Sequence, residues 1–305
     1  MAASDAAAVH ETVRLDRAGA VAVITLDNPP VNALSKDVRA GIAAHLETAL
    51  ADDRVLAVVI AGAGRNLCGG ADIREFNTPA RDAWPMSRDL MNLIEASAKP
   101  VVAAVRGPTL GGGLELAMGC HFRVADAGAS LGMPEVLRGI IPGAGGTQRL
   151  PRLIGLVPAL DMITGGQPIS AAQAHELGLV DDVAPADPTG ASVLRGALAF
   201  ADRLAASGMG PRRISEMRVP GDADENAKAA ADYLVALEKS ARGVKAPLLG
   251  HEAVCLALTE PFMAGWQREA EISRTAMQSV ESKALIHAFF AEREAAKLPD
   301  VPADT

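Results

Sequence analysis

Two glutamates next to glycine-rich segments are the side chains in this sequence best suited to chemistry. Glu115 follows three consecutive glycines (residues 111–113), which open an apolar helical run six residues after a predicted buried strand. Glycines at a helix N-terminus leave backbone N–H groups facing a cavity, and such donors stabilise a developing oxyanion. Glu135 follows Pro134 in a second Gly/Pro-rich stretch and, taken alone, is more typical of a surface residue. The glycines and Glu115 together favour acid–base chemistry beside an oxyanion-binding loop.

The neighbours of Glu115 predict a buried carboxyl group. Glu115 lies between Leu114 and Leu116, and most residues as far as Cys120 are apolar. Burial disfavours the charged form, so we expect a raised pKa for Glu115, which suits general acid–base catalysis near neutral pH. Two simpler interpretations stay open. The glycines alone are equally consistent with a tight turn, and a glutamate in the first helical turn can simply stabilise the helix dipole from a solvated face.

Other motifs in the sequence are weaker. Residues 128–132 match the GxSxG serine-hydrolase pattern around Ser130, but that pattern requires a helix directly after the serine, which Pro134 disfavours. Gly62 and Gly64 begin like a dinucleotide-binding fingerprint that then lacks its third glycine and a following helix. No HExxH pattern and no GxxxxGK[ST] phosphate loop occurs, so we expect no catalytic metal.

The composition excludes several classes of function. The 305 residues include 3% aromatic side chains and carry a net charge of −8, which does not favour a nucleic-acid surface or an anionic membrane as partner. Cys68, Cys120 and Cys255 lie far apart, so neither a disulfide scaffold nor a zinc site is expected. The N-terminus lacks the basic start and long apolar run of a signal peptide, and no segment is long and apolar enough to span a membrane. We therefore expect a soluble, cytoplasmic protein.

Local patterns predict an alternation of strands and helices in the first part of the chain. Val- and Ile-rich runs predict strands at residues 13–15, 21–26, 55–60 and 101–105. Ser35 is the predicted N-cap of the first helix, and a later helix is predicted to reach residue 98 before Pro100. Strands that alternate with helices indicate an α/β fold, in which ligands bind at strand ends.

Beyond about residue 190 the pattern becomes entirely helical. Five helical segments follow one another, at residues 192–206, 225–242, 251–258, 262–275 and 279–296. The last of them has a predicted apolar stripe formed by Val280, Ala284, Leu285, Ala288 and Phe289. We therefore predict a core domain at residues 1–190 and an all-helical C-terminal region at residues 191–305.

Five segments together resemble the crotonase (enoyl-CoA hydratase/isomerase) family in their order and spacing. They lie at residues 28–34, 70–75, 107–115, 130–150 and 164–181, and the resemblance covers residues 11–185. It implies an α/β fold built as a spiral of ββα units, here followed by the all-helical C-terminal portion. It also implies a coenzyme A (CoA) thioester substrate, with no cofactor beyond the CoA that belongs to the substrate.

Matching the family's motifs residue by residue implies further roles. The backbone N–H groups of Ala71 and Gly112 would hold the thioester oxygen, and that of Gly143 would help to place a water molecule. The residues implied to contact the substrate and its CoA portion are Ala33, Ala71, Asp72, Ile73, Arg74 and Gly112. Arg74 and Lys297 are weaker candidates for pairing with CoA phosphates, because a charged surface residue is usually only solvated.

Both acidic positions of the family's hydratases are occupied, by Glu115 and Glu135. The resemblance therefore implies that water is added across the C2=C3 bond of a 2-trans-enoyl-CoA to give a 3-hydroxyacyl-CoA. Glu115 would deprotonate the water that attacks C3, and Glu135 would protonate C2. The alternative within the family is Δ3–Δ2-enoyl-CoA isomerisation, in which Glu135 alone moves a proton, or both activities together. A non-catalytic protein that binds CoA esters is the remaining alternative, which the two intact glutamates disfavour.

The C-terminal part resembles the linker region of multifunctional enzymes of fatty-acid β-oxidation. The similar segments lie at residues 247–250, 258–262 and 282–293. In those enzymes a 3-hydroxyacyl-CoA dehydrogenase part follows, so the sequence is interpreted as either a fragment or a stand-alone hydratase related to that branch. Crotonases with one activity are usually trimers or hexamers. We accordingly expect a homotrimer or hexamer, or a monomer if the C-terminal helices cover the core.

Overall fold

The computed structural model describes residues 12–76, 78–241 and 243–295, so Lys297 and most of the N-terminal segment lie outside the described residues. The strands among them are β1 (Val13–Ala18), β2 (Val21–Leu26), β3 (Ala57–Gly62), β4 (Val101–Val105), β5 (Pro108–Leu110), β6 (Phe122–Asp126), β7 (Ser130–Gly132), β8 (Ile169–Ser170) and β9 (Asp182–Ala184). The helices are α1 (Lys36–Ala51), α2 (Ser87–Glu95), α3 (Gly112–Gly119), α4 (Gly146–Ile154), α5 (Leu156–Gly165), α6 (Ala171–Glu176), α7 (Ala191–Ser207), α8 (Ala223–Ala241), α9 (Ala246–Thr259), α10 (Phe262–Gln278) and α11 (Val280–Ala295). Short 3₁₀ helices lie at Ile73–Glu75, Pro134–Arg138 and Ile214–Glu216.

A six-stranded sheet forms the centre of the fold, in the order β1–β2–β3–β4–β6–β9. The first pair is antiparallel and each later pair is parallel. Parallel neighbours need a crossover connection, and α1, α2 and α3 lie in the connections between β2, β3, β4 and β6. The segments that follow the carboxyl ends of these strands therefore meet at one edge of the sheet, which is where ligands bind in open α/β sheets.

Both faces of this sheet are buried, which explains why its strands are continuously apolar. In β3, Val59 belongs to the apolar cluster that includes Ala197 of α7. Its neighbours Val58 and Ile60 belong to the cluster on the other face, together with Ile42 of α1. Strands that are covered on both sides have no polar alternation, so the sequence prediction of buried strands followed by helices is confirmed.

A second, smaller sheet contains β5, β7 and β8. β5 pairs in parallel with β7, so that Thr109 lies opposite Leu131, and β7 pairs in antiparallel fashion with β8. β5 leads into α3, which carries Glu115, and β7 leads into the 3₁₀ helix that carries Glu135. One backbone ladder therefore joins the two segments with the candidate glutamates, and these short strands were not predicted from the sequence.

The core elements agree with the local patterns except at several ends. β4 has the predicted bounds, and Ser35 caps α1 by accepting a hydrogen bond from the N–H of Val38 at 3.4 Å. β1 continues to Ala18 instead of ending at residue 15. The reason is that backbone pairing with β2 extends through Asp16 and Arg17, whose polar side chains do not interfere at the edge of the sheet.

Two further predicted boundaries were wrong by two or three residues. β3 covers Ala57–Gly62 rather than residues 55–60, because its register pairs Ala57 with the first residue of β2. α2 ends at Glu95 rather than at residue 98. Beyond that end, the hydroxyl of Ser97 donates to the carbonyl oxygen of Lys99 at 2.6 Å, a turn contact that replaces a further helical turn.

The helices predicted beyond residue 190 are confirmed as α7 to α11. The largest difference is at α9, which begins at Ala246 with proline in its first turn, a position that proline tolerates well. α7 packs on the main sheet, while α9 packs against α4, α5, α8 and α10. The division into two regions at residue 190 stays a prediction.

The stripe predicted for α11 is not the buried face of this helix within the described residues. Val280 is 84% exposed, and Ala284 and Ala288 are also exposed. The buried residue is Ser282, whose Cα would lie 2.8 Å from a β-carbon added to Gly139. Leu285 and Phe289 of the stripe are half-buried, so the stripe is covered only in part, and the close backbone approach at Gly139 covers the face of Ser282 instead.

The cysteines of the described residues are unpaired, and burial raises the pKa of the Cys68 and Cys120 thiols to about 12. These thiols are therefore not thiolates at neutral pH. No group of three or more His, Cys, Asp or Glu side chains that could hold a metal ion occurs in the described part of the chain. None of the helices in that part is long and apolar enough to cross a membrane.

Candidate active site

The three glycines at residues 111–113 bring the N-terminus of α3 against the segment that contains Cys68. Gly111 has a φ of 53°, in the left-handed region that favours glycine. A β-carbon on Gly113 would overlap the carbonyl oxygen of Cys68. The tight-turn interpretation is thus correct for Gly111, and the close packing at Gly113 places the free end of the helix beside residues 68–71.

Ala71 and Gly112 lie side by side at this point. A β-carbon on Gly112 would be 3.0 Å from the nitrogen of Ala71, and Ala71 is fixed by a parallel β-bridge to Leu34. Gly112 is the first residue of α3, so its N–H has no acceptor within the helix. Within the described residues, neither this N–H nor that of Ala71 donates to another backbone group. Two adjacent free N–H groups can bind one oxygen on which negative charge develops.

Glu115 is 4% exposed, and the backbone of a distant loop holds its carboxyl group. Its Oε1 accepts hydrogen bonds from the N–H groups of Ala144 at 2.7 Å and Gly146 at 2.9 Å. Burial raises the pKa of Glu115, while these N–H groups and the positive charge of Arg149 lower it. The interpretation of Glu115 as a solvated helix-capping residue is therefore wrong. N–H donors favour a carboxylate, so Glu115 has the surroundings of a base.

Glu135 has different surroundings on the 3₁₀ helix Pro134–Arg138. A β-carbon on Gly111 would lie 2.9 Å from its Oε1, so Glu135 packs against the turn that opens α3. Its Oε2 is buried and has no hydrogen-bond partner among the described residues. Burial and the negative charge of Glu115 raise the pKa of Glu135 to about 8. Glu135 is therefore mainly protonated at neutral pH, in contrast to the solvated surface position that its sequence neighbours alone suggested.

A third carboxyl group, Glu269 of α10, contacts the same loop as Glu115 and was not singled out from the sequence. Its Oε1 accepts from the N–H of Gly145 at 2.7 Å, and its Oε2 accepts from the N–H and Oγ1 of Thr147 at 2.9 and 2.6 Å. Burial and the charge of Glu115 raise the pKa of Glu269 to about 7. The signal that could have found it is its spacing within the buried face of α10, formed by Phe262, Gly265, Glu269, Ile272, Ser273 and Ala276.

Gly143 begins the loop that holds Glu115, which we call the α4 entry loop (residues 143–147). A β-carbon on Gly143 would lie 2.7 Å from the Oγ of Ser273, so α10 supports this end of the loop as well. The backbone of Gly143 also lowers the pKa of Glu115. Glu115, Glu135 and the Ala71–Gly112 pair thus lie around the N-terminus of α3.

The other residues implied to contact CoA lie beside Ala71. Asp72 is buried and accepts two hydrogen bonds from the Arg74 side chain, at 2.9 Å from Nε and 2.8 Å from Nη2, and a third from the Arg74 N–H at 3.0 Å. Arg74 thereby holds the pKa of the Asp72 carboxyl below its usual range. The Arg74 side chain is 78% exposed, whereas Ile73 and Ala33 are half-buried. This segment therefore presents one exposed cation close to the Ala71–Gly112 pair.

Ser130 does not have the surroundings of a hydrolase nucleophile. It is the first residue of β7, which pairs with both β5 and β8. The strand–turn–helix geometry that exposes a nucleophilic serine is therefore absent at Ser130.

Comparisons with known proteins agree on one family. A sequence profile described as enoyl-CoA hydratase/isomerase matches residues 16–220. The peroxisomal bifunctional enzyme of Danio rerio is 48% identical over 279 residues, which cover 91% of this chain and 37% of that protein. The glyoxysomal fatty acid β-oxidation multifunctional protein MFP-a of Brassica napus is 40% identical over 291 residues, which cover 93% of this chain and 40% of that protein. The crystal structure of carnitinyl-CoA hydratase from Mycobacterium avium matches with a TM-score of 0.66 at 28% identity, covering 92% of this chain and 96% of that one.

These matches confirm the crotonase-like fold and the resemblance of the C-terminal part to multifunctional β-oxidation enzymes. The chain spans about two fifths of the length of the curated relatives it matches. The matched profile covers most of the chain, including β2 to β9 and both candidate glutamates. The chain therefore belongs to the enoyl-CoA hydratase/isomerase family.

Proposed function

We propose that this chain is an enoyl-CoA hydratase, which adds water to a 2-trans-enoyl-CoA to give a 3-hydroxyacyl-CoA. The observation that carries the proposal is the pairing of two glutamates with different surroundings, of which Glu115 is buried and Glu135 is half-buried with a buried Oε2. Glu115 accepts two backbone N–H donors, whereas Glu135 has an unpaired buried oxygen and a pKa of about 8. Two carboxyl groups whose surroundings separate their proton affinities can act as a base and an acid in one reaction.

The reaction uses both groups at once. Glu115 takes a proton from water, whose oxygen bonds to C3 while the C2=C3 electrons move towards the thioester oxygen. The N–H groups of Ala71 and Gly112 stabilise the negative charge that develops on that oxygen. Glu135 then gives its proton to C2, which restores the thioester carbonyl. Exchange with solvent returns a proton to Glu135 and removes one from Glu115, and the N–H of Gly143 helps to place the water.

The remaining site residues hold the CoA portion in this proposal. Ala33, Asp72 and Ile73 contact it through their backbone, and the exposed guanidinium of Arg74 pairs with a phosphate. No cofactor is needed besides the CoA of the substrate. The homotrimeric, hexameric or monomeric state stays a prediction. So does the cytoplasmic localisation, because the names of the relatives refer to peroxisomes and glyoxysomes.

The test is the loss of the conjugated enoyl-thioester absorbance when crotonyl-CoA or a longer 2-enoyl-CoA is mixed with the protein. We expect turnover by the wild type, and a fall in kcat of about 10²–10⁴-fold in both Glu115→Gln and Glu135→Gln, the usual contribution of a general acid or base. Glu271→Gln, an exposed position on α10, is the matched control and should keep wild-type activity.

Two results would contradict the hydratase assignment. Appearance of the conjugated absorbance from a 3-enoyl-CoA, with no hydration of the 2-enoyl-CoA, would identify an isomerase that depends on Glu135 but not on Glu115. Binding of CoA esters without turnover on either substrate would identify a non-catalytic member of the family.

A further inference from the structure

The α4 entry loop lies between two carboxylates that share its backbone N–H groups in alternation. The N–H groups of Ala144 and Gly146 donate to Glu115, and those of Gly145 and Thr147 donate to Glu269. Successive N–H groups thus point to opposite sides of the loop. Neither carboxylate can keep its donors if the loop changes conformation, so the two sets of hydrogen bonds depend on each other.

Glu269 comes from a part of the chain far from the loop it holds. It lies 124 residues after Gly145, on α10, and is completely buried. The same helix touches the loop at two other points. Ser273 Oγ would lie 2.7 Å from a β-carbon on Gly143, and Cδ1 of Trp266 would lie 3.4 Å from one on Gly145. The loop is therefore supported along its length by one face of α10.

Charged groups on other elements lie around Glu269 and the loop that it holds. Arg88 of α2 attracts it electrostatically, and its guanidinium lies 3.5 Å from the ring centre of Trp266. Glu115 of α3 and Glu135 repel its negative charge, whereas Arg149 of α4 donates to the carbonyl of the loop and pairs with a glutamate of α2. The three donors on Glu269 oppose the repulsion and favour its carboxylate form.

We infer that Glu269 is a positioning residue, which holds the α4 entry loop in the conformation that presents two of its N–H groups to Glu115. This inference rests on the proposed hydratase function, because Glu269 acts on the reaction through Glu115. Its ionised form accepts all three donors from the loop. Protonation of Glu269 removes one of its acceptor positions. The α4 entry loop and Glu115, which the loop holds, therefore respond to pH together.

The first experiment replaces Glu269 while keeping its size. In Glu269→Gln the side-chain NH₂ group cannot accept a hydrogen bond from a backbone N–H. The variant therefore loses the hydrogen bonds on one side of the carboxyl group, either that from Gly145 or those from Thr147. We expect kcat to fall at least about tenfold, since small displacements of a catalytic group are costly, while KM stays within about threefold. Amide hydrogen exchange of the peptide that contains residues 143–147 should increase. Glu271→Gln, two residues away on the same helix, should change none of these quantities.

The second experiment keeps Glu269 and removes one of its donors. Thr147→Val loses the hydroxyl that donates to Oε2, which raises the pKa of Glu269, whereas Thr147→Ser keeps that hydroxyl. We expect the acidic limb of the kcat–pH profile to move upward by about half a pH unit or more in Thr147→Val and to stay in place in Thr147→Ser. This pair also provides the test if Glu269→Gln does not fold.

The possible results separate this inference from the proposed function. A wild type without hydratase activity contradicts the proposed function itself. An active wild type whose Glu269→Gln variant folds and keeps kcat within twofold overturns the positioning role, even if exchange of the loop increases. An acidic limb that is the same in Thr147→Val and Thr147→Ser overturns it as well.

Discussion

The surroundings of Glu115 and Glu135 differ although the two residues flank the same glycine turn. Glu115 is held by backbone N–H groups of the α4 entry loop, while Glu135 packs against Gly111 with one buried oxygen unpaired. The side chains are chemically identical. Their different proton affinities therefore come from the backbone, which supplies donors to one carboxyl group and not to the other.

The two regions also differ in where their support originates. Glu135 lies on a short 3₁₀ helix that directly follows β7, and it packs against Gly111, 24 residues earlier in the chain. Glu115 depends on a loop that is in turn held by α10, over a hundred residues further along the chain. The base of the proposed reaction thus depends on a support much more distant in the chain than the glycine turn that packs against the acid.

The strongest way to break this contrast is to displace the donors of Glu115 without changing a carboxyl group. A β-carbon on Gly146 would lie 2.9 Å from Oε1 of Glu115, so Gly146→Ala should push the carboxylate off its N–H groups. We expect kcat for 2-enoyl-CoA hydration to fall about 10- to 100-fold, the usual cost of misplacing a catalytic group. Gly165→Ala is the control, because no atom lies within 4 Å of the added carbon. A kcat within threefold of wild type would contradict the role of these donors.

The pH dependence of kcat in the wild type tests the surroundings of Glu115 and of Glu135 together. Glu135 must carry a proton to act as the acid, and its pKa of about 8 predicts that kcat falls above that pH, by about tenfold for each further unit. Glu115 must be ionised to act as the base. Its raised pKa predicts that the acidic limb lies above the pKa of an ordinary glutamate. A kcat that stays flat from pH 7 to 10 would show that a protonated Glu135 is not required.

A smaller effect, on the free energy of unfolding, should differ in size between Glu115 and Glu135. Glu135 has a folded-state pKa raised from 4.5 to about 8, so its contribution to stability is complete below pH 4.5 and is lost as the pH rises through 8. Glu135→Gln should therefore raise the free energy of unfolding at pH 8.5 by about 1–3 kcal/mol, with a gain that shrinks towards pH 4.5. Glu115→Gln also removes a charge that burial disfavours, but it weakens two charge-assisted hydrogen bonds, so its gain at the same pH should be smaller than that of Glu135→Gln. Urea unfolding at several pH values measures both changes, and a gain in Glu115→Gln as large as that in Glu135→Gln would remove the contrast.

Local sequence patterns were sufficient wherever a short segment determines its own structure. The buried strand β4, the Ser35 cap and the helices α7 to α11 follow from periodicity and capping, which depend on neighbouring residues. The burial of Glu115 was also predictable, because its apolar neighbours surround it in the sequence as well as in space.

The remaining features depend on contacts between distant segments. The role of Glu269 has no local signal except a carboxylate on the buried face of a helix. The extension of β1 and the short strand β5 arise from backbone pairing with other strands. The covered face of α11 is decided by Gly139, a glycine 143 positions before Ser282. Such pairings cannot be inferred from the periodicity of one segment.

The position of Trp266 gives the α4 entry loop an optical reporter of its own. The protein has two tryptophans, and the other, Trp84, is 70% exposed. The indole of Trp266 lies against Arg88 and beside Gly145, with its buried Nε1 unpaired among the described residues. In a Trp84→Phe variant all tryptophan fluorescence would arise from this one ring. Its emission would then follow, in a stopped-flow instrument and without any added label, each movement of the loop during a single turnover.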